Sequence, residues 1–364
     1  MNTIESLPED MTMLLMETLG ATSKVSIIIF AYVSTTCYRI SRKYAVQNKI
    51  NRNLSVSLIA SEGSLEVLKW AIFNRYEWNF DTCSDAARNG HFEVLKWARS
   101  NGCEWGGLTC EYAALSGHFE ILKWAKLNGC SMTNWACDYA AKGGHLEILK
   151  WTLLNGCIMT RSTCADAALN GHLELIMWLR SNGCEWDSQT CSNAAQNGHL
   201  EVLKWARSNE CNWNSSTCSN AALGGHLEVL RWARSNGCDW NYKTCTCAAR
   251  NGHLEVLMWA RSNGCEWYSD TCSSAAQNGH LHVLIWARSN GCPWDSDTCS
   301  TAAENGHLEI LKWARSNGCD WNYKVCKKAT IYGHLEVLKW ARANGCAWSW
   351  IEESAKRKWP THFS

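Results

Sequence analysis

Only three prolines are spread over the 364 residues, where average usage of about 5% would give roughly 18. So little proline argues against a linker-rich or disordered chain. Charge of one sign is missing too: 35 Lys and Arg face 34 Asp and Glu, for a net charge of +1. Without a basic excess to grip phosphate backbones, nucleic acid is not the expected partner. The longest apolar stretch, from Val25 to Val33, is nine residues long and includes Ser26. A bilayer span takes about 20, so no membrane segment is expected. The opening Met1-Asn2-Thr3-Ile4-Glu5 reaches Glu9, Asp10 and Glu17 before any apolar run, unlike a secretory leader. The 22 cysteines then imply free thiols in a reducing compartment, and an intracellular, cytoplasmic protein is expected.

What the chain has in abundance is itself. The pair Gly90-His91 recurs with a strict period of 27, without insertion or deletion, as far as Gly333-His334. One more step towards the N-terminus puts Gly63-Ser64 in register, making eleven units. Cysteine follows the same period in two columns, Cys83 to Cys326 and Cys103 to Cys346, which hold 20 of the 22. Such a period is the signature of a solenoid. Within one unit, Cys191, Ala194 and Ala195 fall at i, i+3, i+4, the apolar stripe of a short helix, with Ser192, Asn193 and Gln196 on its polar side. Asp187 or Ser188 is placed to cap it, and Asn197-Gly198 to end it. Leu200, Val202, Leu203, Trp205 and Ala206 then line a second helix, with Glu201, Lys204 and Ser208 as its polar stripe. Asn-Gly closes that helix in most units, as at Asn182-Gly183, although Glu210 replaces the glycine in this one. Each unit carries too much apolar surface to fold alone, so neighbours must stack.

The run Ala-Ala-x-x-Gly-His-Leu-Glu-Val-Leu-Lys-Trp, closing on Asn-Gly-Cys, resembles the ankyrin repeat over about four-fifths of the chain. That resemblance implies an all-α array of helix-turn-helix repeats that binds a protein on its concave face, with no catalytic residues and no cofactor. The family repeat is longer, at about 33 residues, against a period of 27 in this chain. The shortage falls at Asp187-Ser188-Gln189, where the family's β-hairpin fingers project, so bare loops are expected. The Trp- and Cys-rich texture is similar to ankyrin arrays of large DNA viruses of amoebae, which would place the chain in a host cytoplasm. Residues 1–48 are similar to an F-box: Leu7-Pro8-Glu9-Asp10, then apolar Leu14, Leu15 and Leu19, then Val33-Ser34 ahead of Tyr38-Arg39, although Lys24-Val25 replaces the usual Asp-Leu. This implies docking of Leu7, Pro8, Leu14, Leu15, Leu19 and Val33 on the adaptor subunit of an SCF ubiquitin ligase. A helical cap on the first repeat is the alternative. Residues 49–351 form the eleven repeats, and 352–364 a polar cap.

The cysteines and histidines invite chemical readings. Packed helices stand about 8–10 Å apart, whereas disulfide Cα atoms come within about 7 Å, so one column cannot cross-link along the array. Cys184, Cys191 and His199 form a conceivable ligand set, but the first unit puts Val56, Tyr76 and Ser64 at the equivalent places. A metal site would not survive that trio. Buried packing for Cys and a helix-start hydrogen bond for His would, so no metal is expected.

Comparison of the units shows which columns packing leaves free. The position before Ala-Ala reads Asp85, Tyr112, Tyr139 and Asp166 in units two to five, and three residues later come Arg88, Leu115, Lys142 and Leu169. These columns share the outer side of the first helix, and the second helix hardly varies. Asp85, Arg88, Tyr112, Leu115, Tyr139, Lys142 and Asp166 are therefore the candidate protein-binding residues on the concave face, aromatics being frequent anchors. Neutral drift at exposed positions is the other account of the same variation. A monomer is expected. The second-helix tryptophans, Trp70 to Trp340, read as core, so Trp205→Ala is expected to cost about 3–5 kcal/mol.

Overall fold

The computed structural model describes residues 55–73, 75–106, 108–347, 352–359 and 362. Among them are 23 helices and no strand. The chain divides into two compact units, Met1–Thr163 and Cys164–Ser364, and each is described by itself. Within each, the architecture is an α-solenoid of stacked helix pairs. Eleven second helices of nine residues keep the period of the sequence, from Leu65–Phe73 to Leu335–Ala343. In the first unit, Val56–Ser61 packs on Thr82–Arg88, Thr82–Arg88 on Thr109–Leu115, and Thr109–Leu115 on Trp135–Gly143. The second unit repeats this from Ser188–Gln196 through Lys324–Tyr332. The loops joining the repeats carry no strand among the described residues, so the shortened fingers are bare.

The core is built from small residues facing branched ones. First helices bury Thr190, Cys191, Ala194 and Ala195, and second helices bury Val202, Leu203 and Ala206, repeat after repeat. Asp187 caps the first helix, its carboxylate accepting from the Gln189 amide, and Asn214 and Asp295 do the same in their repeats. Ser192, expected on the polar side, is buried instead, because the neighbouring first helix covers that flank. The Glu–Lys pairs form as spaced, with Glu93–Lys96 and Glu201–Lys204 both at 2.8 Å on the exposed face.

Two further expectations are corrected. The Gly-His histidine makes no side-chain bond at the start of its own helix. Its Nε2 reaches back 30 residues to a carbonyl of the preceding repeat: His91 to Ser61 at 2.9 Å, His199 to Leu169 at 3.1 Å, His253 to Leu223 at 3.1 Å. A carbonyl only accepts, so Nε2 carries the proton. Burial, and then the charges that His253 and His199 would carry, hold His226 below its ordinary value of 6.5. The second correction is tryptophan. Trp205 is half-buried rather than core, because it lies at the edge of the stack against the loop Trp186, with ring centroids 5.6 Å apart and edge to face. Trp213 and Trp232 repeat this at 5.8 Å, and Arg207 lies over Trp213 at 4.3 Å. The same guanidinium donates to the Cys211 carbonyl.

After the helix Leu335–Ala343, a charged helix packs where a following repeat would stack. From the helix Glu352–Lys358, the Lys358 ammonium donates to the Thr330 and Ile331 carbonyls, both at 2.8 Å. It lies near Gly333, the place a histidine ring takes over the other repeat glycines.

Second helices end on Asn followed by a left-handed residue. That residue is Gly237, with φ +82°, in one repeat and Glu210, with φ +66°, in another. Left-handed backbone costs an L-residue about 1–2 kcal/mol, and the extra freedom of an unfolded glycine returns about 0.4–1 kcal/mol. Glu210→Gly is therefore expected to stabilise the chain by about 0.5–1 kcal/mol in urea unfolding, and a loss of stability would contradict the backbone assignment. In the same assay Leu203→Ala, a fully buried deletion, is expected to cost about 3–4 kcal/mol. Half-buried Trp205→Ala should cost about 2 kcal/mol, from partial burial and one lost ring contact. The opposite order would return tryptophan to the core.

Candidate protein-binding face

The Cys-x-x-Ala-Ala stripe of each first helix turns into the core, which sets the position before Ala-Ala at the margin of the stack. In the first unit Asp85, Tyr112 and Tyr139 there are half-buried. Tyr112 and Tyr139 meet edge to face, with centroids 6.0 Å apart and planes at 77°. The Arg88 guanidinium lies 5.2 Å from the Tyr112 centroid. Arg88, Tyr112 and Tyr139 thus form a ladder across three successive repeats, with a cation at its exposed end. Leu115 and Lys142, both half-buried, flank it, and the Leu115 carbonyl bonds the ring of His145 at 3.2 Å. Asp85 is held above the ordinary carboxylate range by burial first and by the charge of Asp81 second, while a bond from Ser57 and the charge of Arg88 oppose both.

Asp166 is half-buried in the second unit and is not among the residues of this ladder. Three other members of its column bond the repeat before: Asn193 donates to the Ala165 carbonyl at 3.0 Å, Asn220 to Ser192 at 3.3 Å, and Thr301 to Ser273 at 3.2 Å. Variation along that column therefore mixes surface choice with bonds between repeats. Leu7, Pro8, Leu14, Leu15, Leu19 and Val33 lie outside the described residues.

Two acids beside the tyrosines escaped the sequence reading. Glu111 is fully buried; its Oε1 accepts from the Thr133 amide at 2.9 Å and from the Thr133 hydroxyl at 2.7 Å, while Oε2 has no partner. One repeat on, Asp138 accepts from Thr163 at 2.5 Å and Thr160 at 3.5 Å. Burial outweighs those two bonds and raises its pKa above the usual 3.8. The signal was available: most repeats place Ser or Thr after this cysteine, as at Ser84, Ser192 and Thr246, and these two place acids. Among the described residues no three His, Cys, Asp or Glu side chains gather as a metal site, and no helix is long and apolar enough to cross a membrane.

A carboxyl raised in the folded state favours folding most when protonated, and loses that contribution as pH climbs from 3.8 through its folded value. Asp138→Asn is therefore expected to unfold at higher urea than the parent at pH 7, with the gap closing as pH falls below about 4. A gap that widens in acid would mean that the threonine bonds, not burial, govern this group.

Residues 110–151, which contain both tyrosines and Glu111, match the family model for ankyrin repeats (many copies). A search of curated proteins finds no match to the chain. The matched segment and the strictly periodic helix pairs together support an ankyrin-repeat protein, the architecture of a protein–protein interaction scaffold.

Proposed function

We infer that this chain holds a protein partner against the first-helix face of its first unit and has no chemistry of its own to perform. The ladder of Arg88, Tyr112 and Tyr139 is the observation that carries the reading. It is half-exposed, joins three repeats, and offers ring faces and edges with a cation, the composition of interface anchors. Leu115 and Lys142 widen the patch, and Asp85 gives it an acidic margin. Asp166, in the second unit, is a separate candidate contact at the same position of its own repeat. Catalysis is not proposed, since array folds of this kind typically serve as scaffolds.

The finer reading joins this arm to protein turnover. The F-box resemblance of residues 1–48 supports docking on the adaptor subunit of an SCF ubiquitin ligase, with residues 49–351 as substrate-holding repeats and 352–364 as their polar end. The chain would then act as a cytoplasmic, monomeric substrate receptor.

Purified adaptor should be captured by the full chain and lost on Leu7→Ala/Pro8→Ala, while Tyr112→Ala/Tyr139→Ala keeps the adaptor and loses proteins cross-linked to the repeats in cells. An adaptor bound by neither parent nor variant, with helical content unchanged, would leave a plain scaffold capped by its first residues. Interactors that survive the double tyrosine change would move the binding face elsewhere.

A further inference from the structure

Every repeat after the first carries two cysteines 20 residues apart in sequence, and the fold brings them together. Cys83 Sγ lies 3.3 Å from Cys103 Sγ, and neither residue exposes any surface. The same two columns meet in later repeats, where the Sγ of Cys191, Cys218 and Cys245 lies 4.0 Å from the carbonyl of Cys211, Cys238 and Cys265, always a first-helix cysteine and the loop cysteine after the second helix. A disulfide has an S–S length of about 2.05 Å, so closing the Cys83–Cys103 pair takes an approach of about 1.3 Å. The geometric bar against cross-linking along one cysteine column does not touch pairs that form between columns inside one repeat. Both ends of such a pair lie in the same repeat, so closure leaves the stacking between repeats in place.

The two sulfurs of a pair differ in access. The loop cysteines Cys130, Cys157 and Cys346 expose 3%, 7% and 4% of their surface, whereas their first-helix partners Cys110, Cys137 and Cys326 expose none. The loop sulfur is thus placed to meet an oxidant first and its buried neighbour to resolve.

We propose that these pairs are disulfide-forming redox sites, each closed by a peroxide and each locking one repeat internally. The loop thiolate attacks one peroxide oxygen and the O–O bond breaks. The loop cysteine becomes a sulfenic acid, and the departing hydroxide takes the proton that its thiol released, leaving as water. The first-helix sulfur then attacks the sulfenic sulfur and the S–O bond breaks. The second thiol proton leaves with that hydroxide as a second water. Two thiols lose two electrons, and one peroxide gains them. Because the pairs are buried, the order of closure follows access: Cys157 at 7% and Cys346 at 4% exposure go before Cys191 and Cys211, both at 0%.

The test is hydrogen peroxide added to the reduced full chain, with aliquots alkylated, digested without reductant and mapped by mass spectrometry. Links at a spacing of 20 within one chain are expected, Cys137–Cys157 and Cys326–Cys346 first, with Cys247 still alkylated. The urea midpoint should rise and return on adding dithiothreitol. Links at other spacings, links between chains, or sulfinic acids forming without any link would overturn the proposal. In Cys211→Ser, Cys191 should remain alkylatable while the other pairs close; a new partner for Cys191 would show that proximity in the folded repeat does not decide the pairing.

Discussion

The array rests on one contact: a histidine ring laid over the glycine of the repeat before it. A Cβ built on Gly198 would sit 2.6 Å from the ring of His226, and one on Gly90 would sit 2.6 Å from His118. These glycines are required twice over, because the backbone there is left-handed at φ +79° and because the next repeat occupies the space of a side chain. The ring then bonds a carbonyl at the end of the preceding first helix, which that helix leaves without an internal partner. Turn, spacing and bond are one device, and any repeat of altered length would take the ring off its glycine. The unbroken period of 27 follows from that constraint.

Around this lock the remaining columns divide the work. Small residues in the first helix, Cys, Ala, Ala and a buried Thr, let neighbouring first helices approach closely, and the branched residues of the second helix fill the other side. The margin is closed by a ladder in which Arg covers a loop Trp and that Trp meets the helix Trp, as in Arg234, Trp240 and Trp259. Arg234 also donates to the Cys238 carbonyl at 2.5 Å, so one side chain ends a helix, roofs an indole and holds the loop that carries the second thiol.

The helix pairs, their unbroken phase, the Asp187 cap and the left-handed turns were legible because each depends on local spacing or on one residue's backbone preference. Three features were not. His199 bonds a residue 30 positions earlier, a relation that periodicity hides, since repeat after repeat has the same Gly-His pair and each looks self-contained. The tryptophans mimic core by their helical spacing, while their size carries them past the core to the edge. Cys191 has Cys184 close by in sequence, yet its thiol meets the backbone of Cys211, because the loop returns to the start of the first helix only after the second helix has been built. In the candidate site, Tyr112 and Tyr139 were found by column comparison, whereas Glu111 passed unnoticed because its column otherwise reads as small and polar.

The same division explains why the proposed binding face is placed in the first unit. A column can recognise a partner only where the fold does not already use it. In the second unit, Asn193, Asn220 and Thr301 spend that position on carbonyls of the neighbouring repeat. At Tyr112 and Tyr139 the aromatic rings touch each other, and the bonds between repeats are carried instead by Glu111 and Asp138, one residue earlier, through Thr133 and Thr163. Moving the polar contact one place along the helix turns it inwards, at the cost of burying two carboxyls, and frees the outer position for rings. Buried acids are a poor choice for stability alone. Their presence beneath Tyr112 and Tyr139 fits the proposed use of that face for recognition.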